Sequence, residues 1–202
     1  MPFCAYVFII SLFTGACPWI FGLLQRDTLG FSESSVVLMG SLMAIGTFIG
    51  FLFSGKLVDR FGAKSIFLVN HFAYAVILLG FPSRNIVPFP VHYTIGLLCF
   101  LFGVSVAATS IAISTEMLAI TPSVNKALST SFIGTLQTAG TSLAGILSAR
   151  VIALGILSEK WFLFGHPLGM YDSMILGSAI MILLMVVTLG LIPSLVSPAR
   201  WV

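Results

Sequence analysis

Gly55-Lys56-Leu57-Val58-Asp59-Arg60-Phe61-Gly62-Ala63-Lys64 gathers four charged residues into ten positions of a chain that otherwise avoids charge. Long apolar runs flank it, Ser35–Leu57 before and Ser65–Phe81 after. A short charged loop between two such runs is what a chain needs in order to leave a bilayer, turn in water and re-enter. Gly62 permits the tight turn, and Gly55 is read as letting the preceding helix approach a neighbour closely. Asp59 is the only acid in this basic loop, so it is available to pair with Arg60 or a neighbouring helix and to be released when the bundle moves.

Composition agrees with a membrane protein. Of the 202 residues, 58% are hydrophobic and 7% are charged, against about 25% charged in soluble domains. With a mean hydropathy of +1.14, no soluble core of this chain length would hide the apolar surface. The net charge of +3 is small and scattered over loops, which bears on topology and gives no footprint for nucleic acid. Cys4, Cys17 and Cys99 lie in apolar runs without metal-ligand or paired spacing, so they read as packing residues, and no metal or cofactor is implied.

A helix needs about 20 apolar residues to cross the hydrocarbon core. Six segments qualify: 3–24, 35–57, 65–81, 91–117, 128–154 and 173–196. The expected fold is therefore all-α, a single polytopic bundle of six transmembrane helices over 1–202. Charge falls mainly in the connections: Arg26, Asp27 and Glu33; the opening loop; Arg84 in a proline-rich turn; Lys126; Glu159, Lys160 and Asp172; and Arg200. With the loop at Lys56, Arg60 and Lys64 taken as cytoplasmic, Lys126 and Arg200 join it, while Arg26, Arg84, Lys160 and Arg150 fall outside. Both termini are then cytoplasmic, in an inner or plasma membrane. The first span lacks a basic leader and is too long for a usual export signal, so it is read as a retained helix rather than a cleaved one.

In the form G-x-x-x-D-R-x-G-x-K, the residues Gly55, Asp59, Arg60, Gly62 and Lys64 resemble the cytoplasmic loop signature of the major facilitator superfamily, secondary transporters with two six-helix bundles around a central path. Glu116-x5-Pro122-x3-Lys126 is similar to that family's connection between its tenth and eleventh helices. Tyr171-Asp172 leading to a helix that ends Ile192-Pro193 is similar to its last helix. The resemblance implies a C-terminal half, transporting a small solute by alternating access and covered by a second six-helix half or a second copy of the chain. It also implies that Asp59 latches one bundle to the other in one access state, with Arg60 and Lys64 as charge partners. Ala63 stands where the family often has another basic residue.

Several residues inside the spans bear on chemistry. Gly55-x-Leu57-x-x-Arg60 is echoed by Gly145-x-Leu147-x-x-Arg150, as inverted three-helix repeats would produce. Gly46, Gly50 and Ser54 form one stripe of small residues and Gly134, Thr138 and Ser142 another, and both are expected to pack helices. Substrate sites lie near the bilayer midplane. At 1.5 Å per residue, Gln137 lies roughly 15 Å into the fifth span, with Thr14 at similar depth in the first. Gln137 and Thr14 are thus the candidates for the substrate path, with an interhelical hydrogen bond as the other reading of Gln137. His71 is read either as a proton carrier or as a capped or cavity-facing side chain, and Glu116 and Arg150 as interfacial anchors. Gly140-Thr141-Ser142-Leu143 resembles an intramembrane serine protease nucleophile, but the final span supplies no histidine to activate it, so no catalytic residue is assigned. The remaining alternative is a six-helix membrane protein that does not transport, either a split-gene remnant or a regulatory subunit.

Overall fold

The computed structural model describes residues 2–86, 88–121, 125–163 and 165–191. Within them the fold is all-α apart from one short hairpin. The first span is broken: α1 (Pro2–Thr14) gives way to α2 (Cys17–Leu23), which ends in one wide turn at Leu24–Thr28. Pro18, at the start of α2, has no N–H to return to the Thr14 carbonyl. The sequence expected one continuous helix over 3–24, and this proline interrupts it.

Helix α3 (Glu33–Phe61) starts from Ser32, whose hydroxyl accepts the Ser35 N–H at 3.3 Å. It ends at Gly62, whose φ of 78° is costly for residues with a Cβ. Helix α4 (Ala63–Gly80) begins at the next residue, so the opening loop is a one-residue corner between two helices. Pro90 leads into α5 (Val91–Ile120); α6 (Lys126–Ala153) and α7 (Met170–Leu191) follow. The helices exceed the expected 35–57, 91–117 and 128–154 by a turn or less at one or both ends, while α4 is close to the expected 65–81. Helix α7 starts three residues before Ser173, and 192–196 lie outside the described residues, as do Pro122 and Arg200. Strands β1 (Trp161–Leu163) and β2 (His166–Leu168) pair antiparallel, Trp161 opposite Leu168, in a loop where the sequence had shown no strand.

Contacts between the helices set their directions. Gly96 of α5 lies beside Met39 and Leu42 of α3, while Val104 and Ala107 lie beside Gly50, so α3 and α5 run parallel. Tyr6 meets His71 and Phe21 stacks on Phe81 at 4.1 Å, so the first span and α4 run parallel. Arg84, just after α4, meets Asp172 at the start of α7, so those two run antiparallel. The principal helix contacts are α3 on α5, α1 on α6, α4 on α7 and α4 on α5. Residues 61–64, 121 and 125–126 consequently share one end of the bundle with the start of α1, while residues 26–33, 84–86, 88–92, 154–163 and 165–172 share the other. An aromatic cluster of Phe21, Phe81, Phe102 and Tyr74 fills the centre.

Among the described residues, five helical segments are long and apolar enough to cross a membrane: Phe3–Thr28, Glu33–Phe61, Ala63–Gly80, Val91–Ile120 and Met170–Val187. Helix α6 has the length but is not among them, which corrects the expected count of six. Its Ser, Thr, Gly and Gln residues lower its hydropathy.

Candidate functional site

The charged corner is built as a helix end. Lys56, Asp59 and Arg60 are exposed on the last turn of α3 and Gly62 closes it, while Lys64 is partly covered in the first turn of α4. Arg60 places its guanidinium 5.3 Å from the Phe61 ring centre. Asp59 carries no ion pair among the described residues, so it projects free from the end of the bundle. Gly55 departs from expectation: a Cβ there would meet nothing within 4 Å. It does not bring two helices together.

The close approaches lie deeper. A side chain at Gly46 would strike the Phe100 carbonyl, one at Gly103 the Met43 carbonyl, and one at Gly50 the Val104 oxygen at 2.8 Å. The stripe of Gly46, Gly50 and Ser54 is therefore the α3 face against α5, as read from its spacing. The second stripe behaves differently. Gly134 has open space around it and Thr138 and Ser142 are exposed. Helix α6 instead uses Gly140, where a Cβ would lie 2.7 Å from the Phe8 oxygen, together with Ile133 and Ala144. The polar stripe is left on the bundle surface.

Thr14 and Gln137 stand on adjacent helices, both half-buried. Gly15 meets Thr141, and Gly140 meets Phe8 and Ser11, so the two candidates differ in depth by about six residues of helical rise, ~9 Å. They do not form one site. The Thr14 hydroxyl donates to the Ile10 carbonyl at 2.8 Å in its own helix. Its position is nonetheless distinctive, because the helix break falls beside it, near the middle of the first span.

Buried polar groups between α1, α4 and α5 are satisfied. His71 is fully enclosed; its Nδ1–H donates to the Phe67 carbonyl and its Nε2 accepts from the Tyr6 hydroxyl, each at 2.5 Å. A neutral ring satisfies both partners, so His71 is a bridge between helices. The Asn70 amide donates to the Ser105 carbonyl at 2.9 Å and to the Thr109 hydroxyl. Glu116 is only 3% exposed, so it does not snorkel to an interface as expected; Arg150 is exposed.

No protein-family model and no curated protein matches this chain.

The arrangement least legible in the sequence lies at the opposite end from the charged corner. Arg84 and Asp172, read as loop charges, are 1% and 0% exposed at the side chain and form an ion pair. Arg84 Nη1 also donates to the Phe81 carbonyl at 2.8 Å, and Nη2 donates to Asp172 Oδ2 at 3.2 Å. The Gly169 N–H donates to Asp172 at 3.0 Å. Next to it the Tyr171 hydroxyl donates to Asp27 at 2.8 Å, and the Trp161 indole donates to the Gly169 carbonyl at 3.3 Å. One network thus joins the end of the first span, the end of α4, the hairpin and the start of α7. An acid in the first turn of α7 is a visible signal, since it suits a helix N-terminus; its partner, 88 residues earlier, is not.

Proposed function

We propose that this chain is one six-helix half of a secondary transporter of the major facilitator type, moving a small solute through an inner or plasma membrane by alternating access. The observation that carries this reading is the pairing of the helices. Taking α1 with α2, α3 and α4 as one triplet and α5, α6 and α7 as the other, exchange of the triplets turns the α3·α5 contact into α6·α1 and returns α4·α7 to itself. Because successive spans reverse direction, equivalent helices point opposite ways, which is the relation of inverted repeats in transporters. Gly50, one of two glycines by which α3 packs on α5, and Gly140, by which α6 packs on α1, are separated in sequence by the same interval as the echoed pair Gly55-x-Leu57-x-x-Arg60 and Gly145-x-Leu147-x-x-Arg150.

Two features support a missing second bundle. Helix α6 exposes Gly134, Thr138 and Ser142, a stripe of small residues of the kind by which membrane helices pack on one another. Asp59, Arg60 and Lys56 stand free at the end of α3, available to a facing half. The charged corner and both termini are cytoplasmic in this reading, and the broken first span brings Thr14 to the path with Gln137 below it. A separately encoded six-helix partner, or a second copy of the chain, completes the path.

The test is mass measurement in mild detergent followed by uptake of a radiolabelled solute panel after reconstitution, with and without the co-purifying partner. A dimer or heteromer that transports is expected, and Asp59→Asn should lower uptake without impairing insertion because it alters the balance of access states. A stable monomer that transports refutes the half-transporter assignment. Absence of uptake by every assembled form refutes transport.

A further inference from the structure

Above the buried Arg84–Asp172 pair lies a pocket of about 450 Å³, between the end of the first span, the turn after α4 and the hairpin loop. Its polar lining includes Asp27, Arg84, Asn85, Glu159, Lys160 and Tyr171. We propose that this pocket binds a small zwitterion with an apolar substituent, the chemistry shared by a free neutral amino acid and a zwitterionic lipid headgroup.

Three observations carry the proposal. Arg84 has both Nη atoms engaged by Asp172 and the Phe81 carbonyl, yet its Nε–H, in a side chain 1% exposed, has no acceptor among the described residues. A buried donor left unpaired costs about 1–3 kcal/mol, and Arg84 is among the residues that line the pocket, so a shift of its side chain toward an oxygen acceptor bound there would relieve that cost. Second, the lining holds charges of both signs. Lys160 and Glu159 form no ion pair among the described residues, whereas Asp27 is held by Arg26 at 3.4 Å and by Tyr171. A lone anion or cation would meet a like charge, while a molecule carrying both a carboxylate or phosphate and an ammonium is matched on both sides. Third, Leu29, Leu168 and Met170 complete the wall, an apolar surface for a side chain or the start of an acyl tail.

The proposal stands apart from transport and is tested on the purified full chain in detergent micelles by calorimetry and thermal melting. L-leucine is the first probe, its methyl ester supplies the ammonium alone, and N-acetyl-L-leucine supplies the carboxylate alone. Monomeric dihexanoylphosphatidylcholine is the lipid arm. Saturable heat and a raised melting temperature with L-leucine or with the phosphatidylcholine, absent with both single-charge analogues, is the expected result, and whichever zwitterion binds identifies the source. Lys160→Gln and Glu159→Gln, at exposed positions that leave the melting temperature of the free protein unchanged, should each weaken binding about tenfold. Binding of neither zwitterion, equal binding of the single-charge analogues, or full affinity in both variants overturns the proposal.

Discussion

Arg84 and Asp172 show how far a residue's environment departs from its position in the chain. Both sit beside turns, where charges are ordinarily solvated, yet both are fully enclosed. Two such charges are tolerated because each pairs with the other, with the Gly169 N–H and the Phe81 carbonyl adding one hydrogen bond each and only the Arg84 Nε–H left without an acceptor among the described residues. Removing one partner strands the other in a medium that does not hydrate it. Asp172→Asn should therefore destabilise the protein by about 3–5 kcal/mol in detergent unfolding titrations. The double variant Arg84→Met with Asp172→Asn keeps an acceptor for Gly169 and removes the stranded cation, so most of that loss should be recovered. If the single variant unfolds at the parent's denaturant concentration, the pair is not buried as described. His71 follows the same logic with neutral groups. Its value to the fold is that Tyr6 of α1 and Phe67 of α4 are bound to one ring, which ties the first span to the third.

Among elements, the decisive difference is between two glycine stripes that look alike in sequence. The α3 stripe meets backbone of α5, and Gly140 of α6 meets backbone of α1, so in both places there is room for hydrogen alone. Gly134 has open space. Gly50→Leu and Gly140→Leu should each cost about 1–3 kcal/mol, since a rigid backbone rather than a flexible side chain must move. Gly134→Leu should stay within about 0.5 kcal/mol in the same melting experiment on the isolated chain. Under the half-transporter proposal it should also weaken association with the second bundle, which sedimentation reads separately. Equal losses at all three sites would show that helix propensity, not interhelical contact, sets the penalty.

For the whole molecule, the alternation of helix directions puts Lys56, Arg60, Lys64 and Lys126 at one end and Arg26, Arg84, Arg150 and Lys160 at the other. Four stand at each end among the described residues, but Arg84 is paired and buried, so fewer free cations remain at the second end. The proposed cytoplasmic placement of the first end rests on this difference. Ser65 is exposed beside the charged corner and Ser34 is exposed at the far end. In intact cells a membrane-impermeant thiol reagent should label Ser34→Cys and spare Ser65→Cys. The reverse pattern would invert the topology and remove Asp59 from the cytoplasmic face.

The apolar run lengths, Gly62 at the corner and the prolines at the helix boundaries are local signals, and from them the sequence by itself determined an all-α chain, with α3, α4, α5 and α6 placed to within about a turn but without the break in the first span. The small-residue spacing on α3 also marked a packing face. The same spacing on α6 pointed to Gly134, Thr138 and Ser142, whereas Gly140, Ile133 and Ala144 meet the neighbour, because Gly, Ser and Thr lie on more than one side of that helix. The missing side chain of Gly55 led to the wrong role for it: Ser54 and Val58 on either side are buried, but Gly55 faces open space. The partners of Arg84, Asp172 and Tyr6, and the pocket above the buried ion pair, arise only when distant segments meet; a lone charge or hydroxyl in sequence does not say which distant group will satisfy it. Tertiary structure alone decided those contacts, because the requirement that every buried polar group find a partner acts through space and leaves no fixed interval along the chain.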